Sequence, residues 1–257
     1  MKRSDPTQYP QQTGPYSVRV KTGANWQNYS TCRLQISVGQ AYHEGAKFEA
    51  TINWVKERFD SVIICVNDTL QRHNTLFMDG GDDDTVARRW SCEGANWIAR
   101  HKDLLATLED CTVYKWDAWR NQENYTSIRE QVDHFYETND LFHNAINANI
   151  QTFWDRNAIS YEDRHELDFT KFARHSLRYL LEETAVFSIM FDQIEAVDIY
   201  PGTVLLPAFL FRGNPVPGMP EGLDKGAFTR IDFKRNSAKA LSDNQDALSQ
   251  FSSGKNN

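Results

Sequence analysis

The stretch that decides the fold is Ser-Val-Ile-Ile-Cys-Val at residues 61–66. A continuous apolar run of this length is typical of a β-strand that is buried on both faces. Such strands belong to parallel sheets, which are covered by helices on both sides. The run therefore predicts a parallel sheet near the middle of the molecule.

Strand and helix patterns alternate around this run. The predicted elements in chain order are a strand at 33–37, a helix at 48–59, the strand at 61–66, a helix at 93–108 and a strand at 112–116. Helical periodicity continues over 125–154, where Asn139 interrupts the apolar stripe and leaves either one bent helix or two. A helix at 161–191, a strand at 196–200 and an apolar run at 204–211 follow. The alternation predicts an α/β fold.

The chain ends differ in composition from this body. Residues 1–30 lack sustained periodicity and are predicted to form a partly disordered N-terminal arm or loosely attached loop. Residues 237–257 are dominated by polar side chains and are predicted to be a disordered tail. The sequence thus predicts a single domain over residues 31–236.

Composition limits the possible functions. The chain has 257 residues, 40% of them hydrophobic, and a net charge of −7, so any polyanion must bind to a local basic patch. No apolar stretch is long enough to span a bilayer, and the first residues lack the apolar run of a signal peptide. The four cysteines are too far apart in sequence for a zinc or redox motif. We expect a cytoplasmic protein with no metal, no membrane partner and no DNA partner, and we expect a monomer.

Ser37 follows the first predicted strand of the parallel sheet. In doubly wound sheets, ligands gather at the carboxyl ends of the strands. The surrounding residues, Gln35 to Gly39, match only half of the G-x-S-x-G turn of α/β hydrolases, because Gln35 stands where the first glycine belongs. A serine at this position also serves commonly as a helix cap.

A longer match surrounds Ser37. It comprises Ile36–Gln40, Lys47–Phe48, Arg58–Asp60 and Asn67–Asn74. This pattern resembles the cyclodipeptide synthases. The resemblance implies a Rossmann-like, three-layer αβα fold with a mostly parallel sheet, similar to the catalytic domain of class I tyrosyl- and tryptophanyl-tRNA synthetases. It also implies that Ser37 is the nucleophile.

The resemblance continues late in the chain. The family's tyrosine and glutamate, four residues apart, match Tyr179 and Glu183, which lie on one face of the predicted helix. Glu182 is the alternative to Glu183 and would point about 100° away. A further family tyrosine matches Tyr200. Pro201 follows this tyrosine, and Gln40 stands three residues after the serine. In both features the chain resembles the branch of the family that has Tyr-Pro after the late strand and a residue other than asparagine three positions after the serine.

The resemblance implies synthesis of a diketopiperazine from two aminoacyl-tRNAs by ping-pong acyl transfer. Ser37 would take the first aminoacyl group, Glu183 and Tyr179 would hold its amine, and Tyr200 would relay a proton. Backbone amides of residues 38–40 would stabilise the oxyanion. Because the aminoacyl ester is already activated, we expect no cofactor.

Two further residue sets are predicted to contact the substrates. The substrate-binding set is Arg33, Gln35, Gly39, Gln40, Cys65 and Asn67. Alternation along the strand places Arg33, Gln35 and Ser37 on one face, which favours a polar or acidic first side chain. The predicted tRNA-binding set is Arg88, Arg89, Arg100, His101 and Lys102, with Arg72 and His73 nearby.

Two other classes of protein stay open. A serine hydrolase would use Ser37 with a histidine and an acid, but His134, His143, His165 and His175 all lie in predicted helices and no Ser, acid, His order is evident. A non-catalytic tRNA- or peptide-binding module would keep the Rossmann-like core and use Ser37 only as a cap.

Overall fold

A mostly parallel sheet lies at the centre of the computed structural model, which describes residues 14–160, 168–201 and 209–236. Within these residues the sheet has six strands in the order β1-β6-β5-β2-β3-β4. The strands are β1 (Tyr16–Gly23), β2 (Thr31–Ser37), β3 (Ser61–Asn67), β4 (Cys111–Lys115), β5 (Val197–Pro201) and β6 (Ala227–Arg235). All neighbouring strands are parallel except β1 and β6, which pair antiparallel.

Helices cover both faces of the sheet. They are α1 (Gly45–Lys56), α2 (Arg72–Met78), α3 (Asp83–Leu105), α4 (Trp116–Arg120), α5 (Tyr125–Thr138), α6 (Asp140–Ser160) and α7 (Phe169–Gln193). One hydrophobic cluster joins α1 and α3 to one face of the sheet, and a second joins α5, α6 and α7 to the other. The predicted α/β fold with three layers and a mostly parallel sheet is confirmed.

The apolar run at residues 61–66 lies in β3, one of the buried central strands of the sheet. In β3, all residues from Val62 to Asn67 are buried, and β2 is buried from Cys32 to Ile36. Their parallel register pairs Ser37 with Asn67, so the last residues of both strands end at the same edge of the sheet. Candidate functional side chains therefore meet where these strands end.

The N-terminal segment differs from its prediction. The sequence predicts a loosely attached arm for residues 1–30, whereas Tyr16–Gly23 forms the edge strand β1 along β6. The alternating side chains of this strand give it one face towards the core, where Val18 packs against the α1/α3 cluster. Residues 1–13 and the predicted tail at 237–257 lie outside the described residues.

Helix boundaries follow capping side chains. Asn139 separates α5 from α6 with extended backbone, and its Oδ1 accepts a hydrogen bond from the Phe142 amide, so residues 125–154 form two helices. Asp82 caps α3, which begins at Asp83, ten residues before its predicted start at residue 93, and Asp168 caps α7. The first seven residues of the predicted helix at 161–191 and most of the apolar run at 204–211 lie outside the described residues.

Candidate active site

Ser37 is the last residue of β2 and begins a tight turn. The Gln40 amide donates a hydrogen bond to the Ser37 carbonyl at 3.2 Å, and Gly39 has φ +87°, a conformation that favours glycine. The chain then continues into the 3₁₀ turn at Ala41–His43. Because the Gln40 amide donates to the Ser37 carbonyl, only the amides of Val38 and Gly39, of the three amides predicted to bind the oxyanion, are left for that role.

A cavity of about 500 Å³ opens beside Ser37 at the carboxyl edge of the sheet. Strands β2, β3 and β5 form its floor, and α2, α6 and α7 form its walls. The sequence-predicted site residues that line it are Gln35, Ser37, Gln40, Asn67, Tyr179, Glu183 and Tyr200. The fold thus brings Ser37 to hydrogen-bond distance of Tyr200, which lies 163 positions later in the chain.

A chain of three hydroxyl groups begins at Ser37. Its Oγ lies 3.2 Å from the Tyr200 hydroxyl, which lies 2.6 Å from the Tyr42 hydroxyl. Burial raises the pKa of both tyrosines above the ordinary value, so both hydroxyls stay protonated at neutral pH. A connected chain of neutral hydroxyls can pass a proton away from the serine.

His43 holds the backbone at Ser37. Its Nδ1 accepts a hydrogen bond from the Ser37 amide at 2.9 Å. Burial lowers the pKa of His43 to about 4, so the ring is neutral at pH 7. The imidazole therefore contacts the Ser37 backbone, whereas the Ser37 Oγ contacts Tyr200.

Tyr179 and Glu183 reach the cavity from one face of α7, as the i, i+4 spacing predicts. Burial raises the pKa of Glu183 to about 8, so its carboxyl group is mostly protonated at neutral pH. Burial also raises the pKa of Tyr179, with the neighbouring Glu183 acting in the same direction. The ionised form of this buried carboxyl group, beside the Tyr179 hydroxyl, suits the binding of an ammonium group.

Glu182 faces away from the cavity into a buried cluster. Its carboxylate pairs with Arg72, accepts a hydrogen bond from Trp116 Nε1 at 2.9 Å and lies 3.5 Å from Arg120 Nε. Burial opposes its ionisation, but the bonds from His73 and Arg72 hold its pKa well below the ordinary value. The geometry thus separates Glu182 from the cavity-lining Glu183. The expectation that Arg72 and His73 track phosphates is wrong, because both side chains are buried against Glu182.

Three predicted substrate-binding residues, Arg33, Gly39 and Cys65, are not among the residues that line the cavity. Arg33 is fully buried, and its guanidinium pairs with Asp198 at 2.9 Å and donates to three backbone carbonyls, those of Met190, Ile194 and Ala196. Its charge is therefore compensated within the fold, and the expectation of an acid-binding pocket built on Arg33 is wrong. Cys65 is 1% exposed and packs in the α5/α6/α7 cluster.

The five predicted tRNA-binding residues all lie on α3. Arg88, Arg89, Arg100 and Lys102 are exposed, while Arg100 Nη2 donates to Glu44 at 2.9 Å. His101 is 8% exposed and lies 3.3 Å from Glu44, with its ring packed against Trp97. His101 is thus a packing residue, and four of the five predicted residues are on the surface.

The sequence prediction missed three residues at the site: Tyr42, His43 and Asp198. Asp198 shares its strand face with Tyr200, two residues later, so strand alternation carried a signal for it. Tyr42 and His43 lie in an irregular turn in which no periodicity indicates direction.

Comparisons with known proteins agree with this architecture. No protein-family model and no curated protein sequence matches the chain. Among solved structures, the chain is similar to a CDPS (cyclodipeptide synthase) from Fluoribacter dumoffii, with a TM-score of 0.74, 27% identity and coverage of 86% of this chain and 100% of that one.

Two further structures show the same fold at lower identity. A protein from Mycobacterium tuberculosis has a TM-score of 0.63 and 11% identity over 86% of this chain and 94% of that one, and its structure is described as relating cyclodipeptide synthetases to type I tRNA synthetases. A cyclodipeptide synthase from Candidatus Glomeribacter gigasporarum, bound to Phe-tRNAPhe, has a TM-score of 0.61 and 15% identity over 81% and 88% of the two chains. The chain thus has the fold of cyclodipeptide synthases, and its structural homologues are enzymes of this class.

The described part of the site does not provide the histidine that a serine hydrolase would need. Among the described residues that line the cavity there is no histidine, and His43 contacts the backbone of Ser37. A Ser-His-acid triad requires a histidine bonded to the serine hydroxyl. His165 lies outside the described residues.

The helices of the chain, so far as the structure describes them, include none that is long and apolar enough to cross a membrane.

Proposed function

We propose that this chain is a tRNA-dependent cyclodipeptide synthase, an aminoacyltransferase that joins two aminoacyl groups into a diketopiperazine through an ester on Ser37. The observation that carries the proposal is the meeting of Ser37, Tyr200, Tyr179 and Glu183 in one cavity. The similarity to the Fluoribacter dumoffii enzyme, over nearly the full length of both chains, supports it.

The first step is transfer of an aminoacyl group to Ser37. The Oγ attacks the ester carbonyl of the first aminoacyl-tRNA, forming a new ester bond and breaking the bond to the 3′-terminal ribose oxygen. The Oγ proton leaves along the Tyr200 and Tyr42 hydroxyls, and the ribose oxygen takes up a proton as it departs. The backbone amides of Val38 and Gly39 would stabilise the oxyanion.

The second and third steps use the amine of the bound aminoacyl group. The ionised carboxylate of Glu183 and the Tyr179 hydroxyl hold the ammonium, and Glu183 accepts one proton from it. The free amine attacks the ester carbonyl of the second aminoacyl-tRNA, which forms the peptide bond and breaks the bond to the ribose oxygen. That oxygen takes up the proton that the amine loses, and the second tRNA departs. The amine of the resulting dipeptidyl ester then attacks the carbonyl at Ser37, closes the ring and returns the proton to Oγ. The aminoacyl esters supply the free energy for both bonds.

The direct test of this function is product analysis. Purified protein incubated with charged tRNA should release a diketopiperazine detectable by mass spectrometry, and tRNA without an amino acid should give none. Turnover of simple esters without diketopiperazine would favour the hydrolase reading instead. Binding of tRNA with no product would favour a binding module.

Tyr42 is proposed as a positioning residue for the hydroxyl chain. Tyr42→Phe removes the 2.6 Å bond to Tyr200, which is worth about 0.5–1.5 kcal/mol for a typical hydrogen bond. We expect kcat to fall roughly two- to tenfold with KM unchanged, measured as the rate of diketopiperazine formation. Tyr136→Phe is the control, since the Tyr136 hydroxyl bonds Asn147 outside the cavity. An unchanged kcat in Tyr42→Phe would remove Tyr42 from the relay.

The exposed basic residues of α3 are proposed to contact tRNA phosphates. Replacing Arg100 and Lys102 by alanine should weaken kcat/KM and reduce the slope of its logarithm against log salt concentration by about 1–2, because each lost phosphate contact removes about one counterion. The control is the double variant Lys21→Ala, Lys234→Ala on the β1/β6 edge. Equal slopes in the wild type and the α3 variant would put the tRNA surface elsewhere.

A further inference from the structure

The floor of the cavity below Ser37 contains two buried hydrogen-bond acceptors that have no partner among the described residues. They are Gln35 Oε1, on β2, and Asn67 Oδ1, at the end of β3. Both side chains line the cavity, and the residues are only 5% and 3% exposed. Buried acceptors are nearly always bonded in folded proteins, so these two atoms indicate a missing donor.

The orientation of the Gln35 amide is fixed by Asp198. The Gln35 Nε2 group donates to Asp198 Oδ1 at 2.7 Å, and this bond requires the amide nitrogen on that side. Oε1 must therefore face away from Asp198. Asp198 in turn receives two donors from the buried Arg33 guanidinium, so its negative charge is already compensated. The acceptor left open at the floor is thus the neutral amide oxygen.

The walls around this floor are aromatic. Phe187, Phe209 and Phe228 line the same cavity, and Phe228 is paired with Asp198 in the β5/β6 register. Gln35 lies two residues before Ser37 on the same strand face, about 7 Å along the strand. Asn67 is the register partner of Ser37 on the neighbouring strand, so a group attached to Ser37 Oγ would have Asn67 beside it, Gln35 further along the strand and aromatic rings in the same cavity.

We propose that this floor selects the first aminoacyl group, and that the selected side chain has an apolar stem ending in an N–H donor, as in an amide or a guanidinium group. The proposal rests on the proposed function, because it concerns the group carried by Ser37. Gln35 Oε1 and Asn67 Oδ1 accept from the donor, and a carboxylate or a purely apolar end leaves both acceptors unpaired. This keeps the polar part of the preference expected from the strand face and excludes its acidic part.

The test measures which amino acid loads onto Ser37. The whole enzyme is mixed with tRNA charged with each of the twenty amino acids in turn, and intact-protein mass spectrometry follows the single-turnover rate of acylation. Glutamine, asparagine, arginine or lysine should load at least tenfold faster than leucine and glutamate. The amide and cationic members of this group distinguish a neutral from a charged donor. Fastest loading by leucine, methionine or glutamate would overturn the inference and leave the proposed function standing, whereas no loading by any amino acid would overturn both.

Two variants remove the acceptors. Gln35→Met and Asn67→Leu should each lower the loading rate of the preferred amino acid relative to leucine by at least tenfold. This ratio is measured within one variant, so a partly unfolded preparation does not alter it. Asn74→Leu is the matched control, because Asn74 is an amide that lines the same cavity but is exposed at its mouth. An unchanged ratio in Gln35→Met and Asn67→Leu would overturn the role of the two acceptors.

Discussion

Replacement of Ser37 by alanine will reduce diketopiperazine formation at least about 10³-fold, because the oxygen that carries both the aminoacyl and the dipeptidyl group is lost. Chromatography with mass detection of the product measures this effect. The protein should stay folded, since Ser37 is only partly buried and its Oγ bond to Tyr200 is a single contact at the cavity. Binding of charged tRNA should persist.

The matched control for this variant is Ser176→Ala. Ser176 lies on α7 and lines the same cavity, but its side chain is not part of the hydroxyl chain from Ser37. We expect this control to retain activity within a few-fold of the wild type. Full activity in Ser37→Ala would contradict covalent catalysis at this position, and equal loss in both variants would point to damage of the cavity as a whole.

Replacement of Glu183 by glutamine will lower kcat/KM by about 10² or more, since general base catalysis commonly contributes 10²–10⁴. The ionised carboxylate is the form that binds an ammonium group, and burial raises the pKa of Glu183 to about 8. The wild-type kcat/KM should therefore rise with pH and level off above about 8. Glu183→Gln should lack this rising limb. A rising limb that survives in Glu183→Gln would exclude Glu183 as its source.

The same carboxyl group makes stability depend on pH. Its pKa is about 8 in the folded protein against an ordinary value of 4.5, so the native state binds more protons than the unfolded state between these values. The stabilising contribution is fully present below pH 4.5 and is lost as the pH rises to about 8. Each pH unit in this window is worth up to about 1.4 kcal/mol. Denaturant unfolding of Glu183→Gln should show a smaller decline over the same range.

Glu182→Gln is the control that distinguishes the two adjacent acids. Glu182 is paired with Arg72 and lies beside Arg120, so its loss leaves buried cations uncompensated and should destabilise the fold by about 3–5 kcal/mol. The pH dependence of kcat/KM, measured below the melting temperature, should keep its rising limb. The pair of variants thus assigns the catalytic and the structural glutamate by different measurements.

Local patterns were enough to predict the centre of the fold. The apolar run of β3 and the helical stripes on either side lead directly to a sheet covered on both faces. The resemblance supplies a tyrosine and a glutamate four residues apart, and helix geometry then favours Glu183 over Glu182, because only Glu183 shares the helix face of Tyr179. Strands β1 and β6 were not predicted, because edge and near-edge strands alternate with polar residues and carry a weaker signal.

Contacts between distant strands could not be predicted in the same way. The partner of Arg33 is Asp198, 165 residues away, and this pairing depends on β5 lying beside β2. Without the strand order, a polar strand face looks like a binding surface, and Arg33 was assigned to the substrate for this reason. Tyr42 reaches Tyr200 from an irregular turn, for which sequence periodicity gives no direction.

The central claim is that Ser37 carries the first amino acid. The most direct measurement is intact-protein mass spectrometry of the wild type after rapid mixing with a single aminoacyl-tRNA, followed by peptide mapping of the adduct. We predict a mass increase equal to one aminoacyl group, located at Ser37 and absent from Ser37→Ala. Formation of diketopiperazine without any adduct, or with an adduct at another residue, would contradict the account.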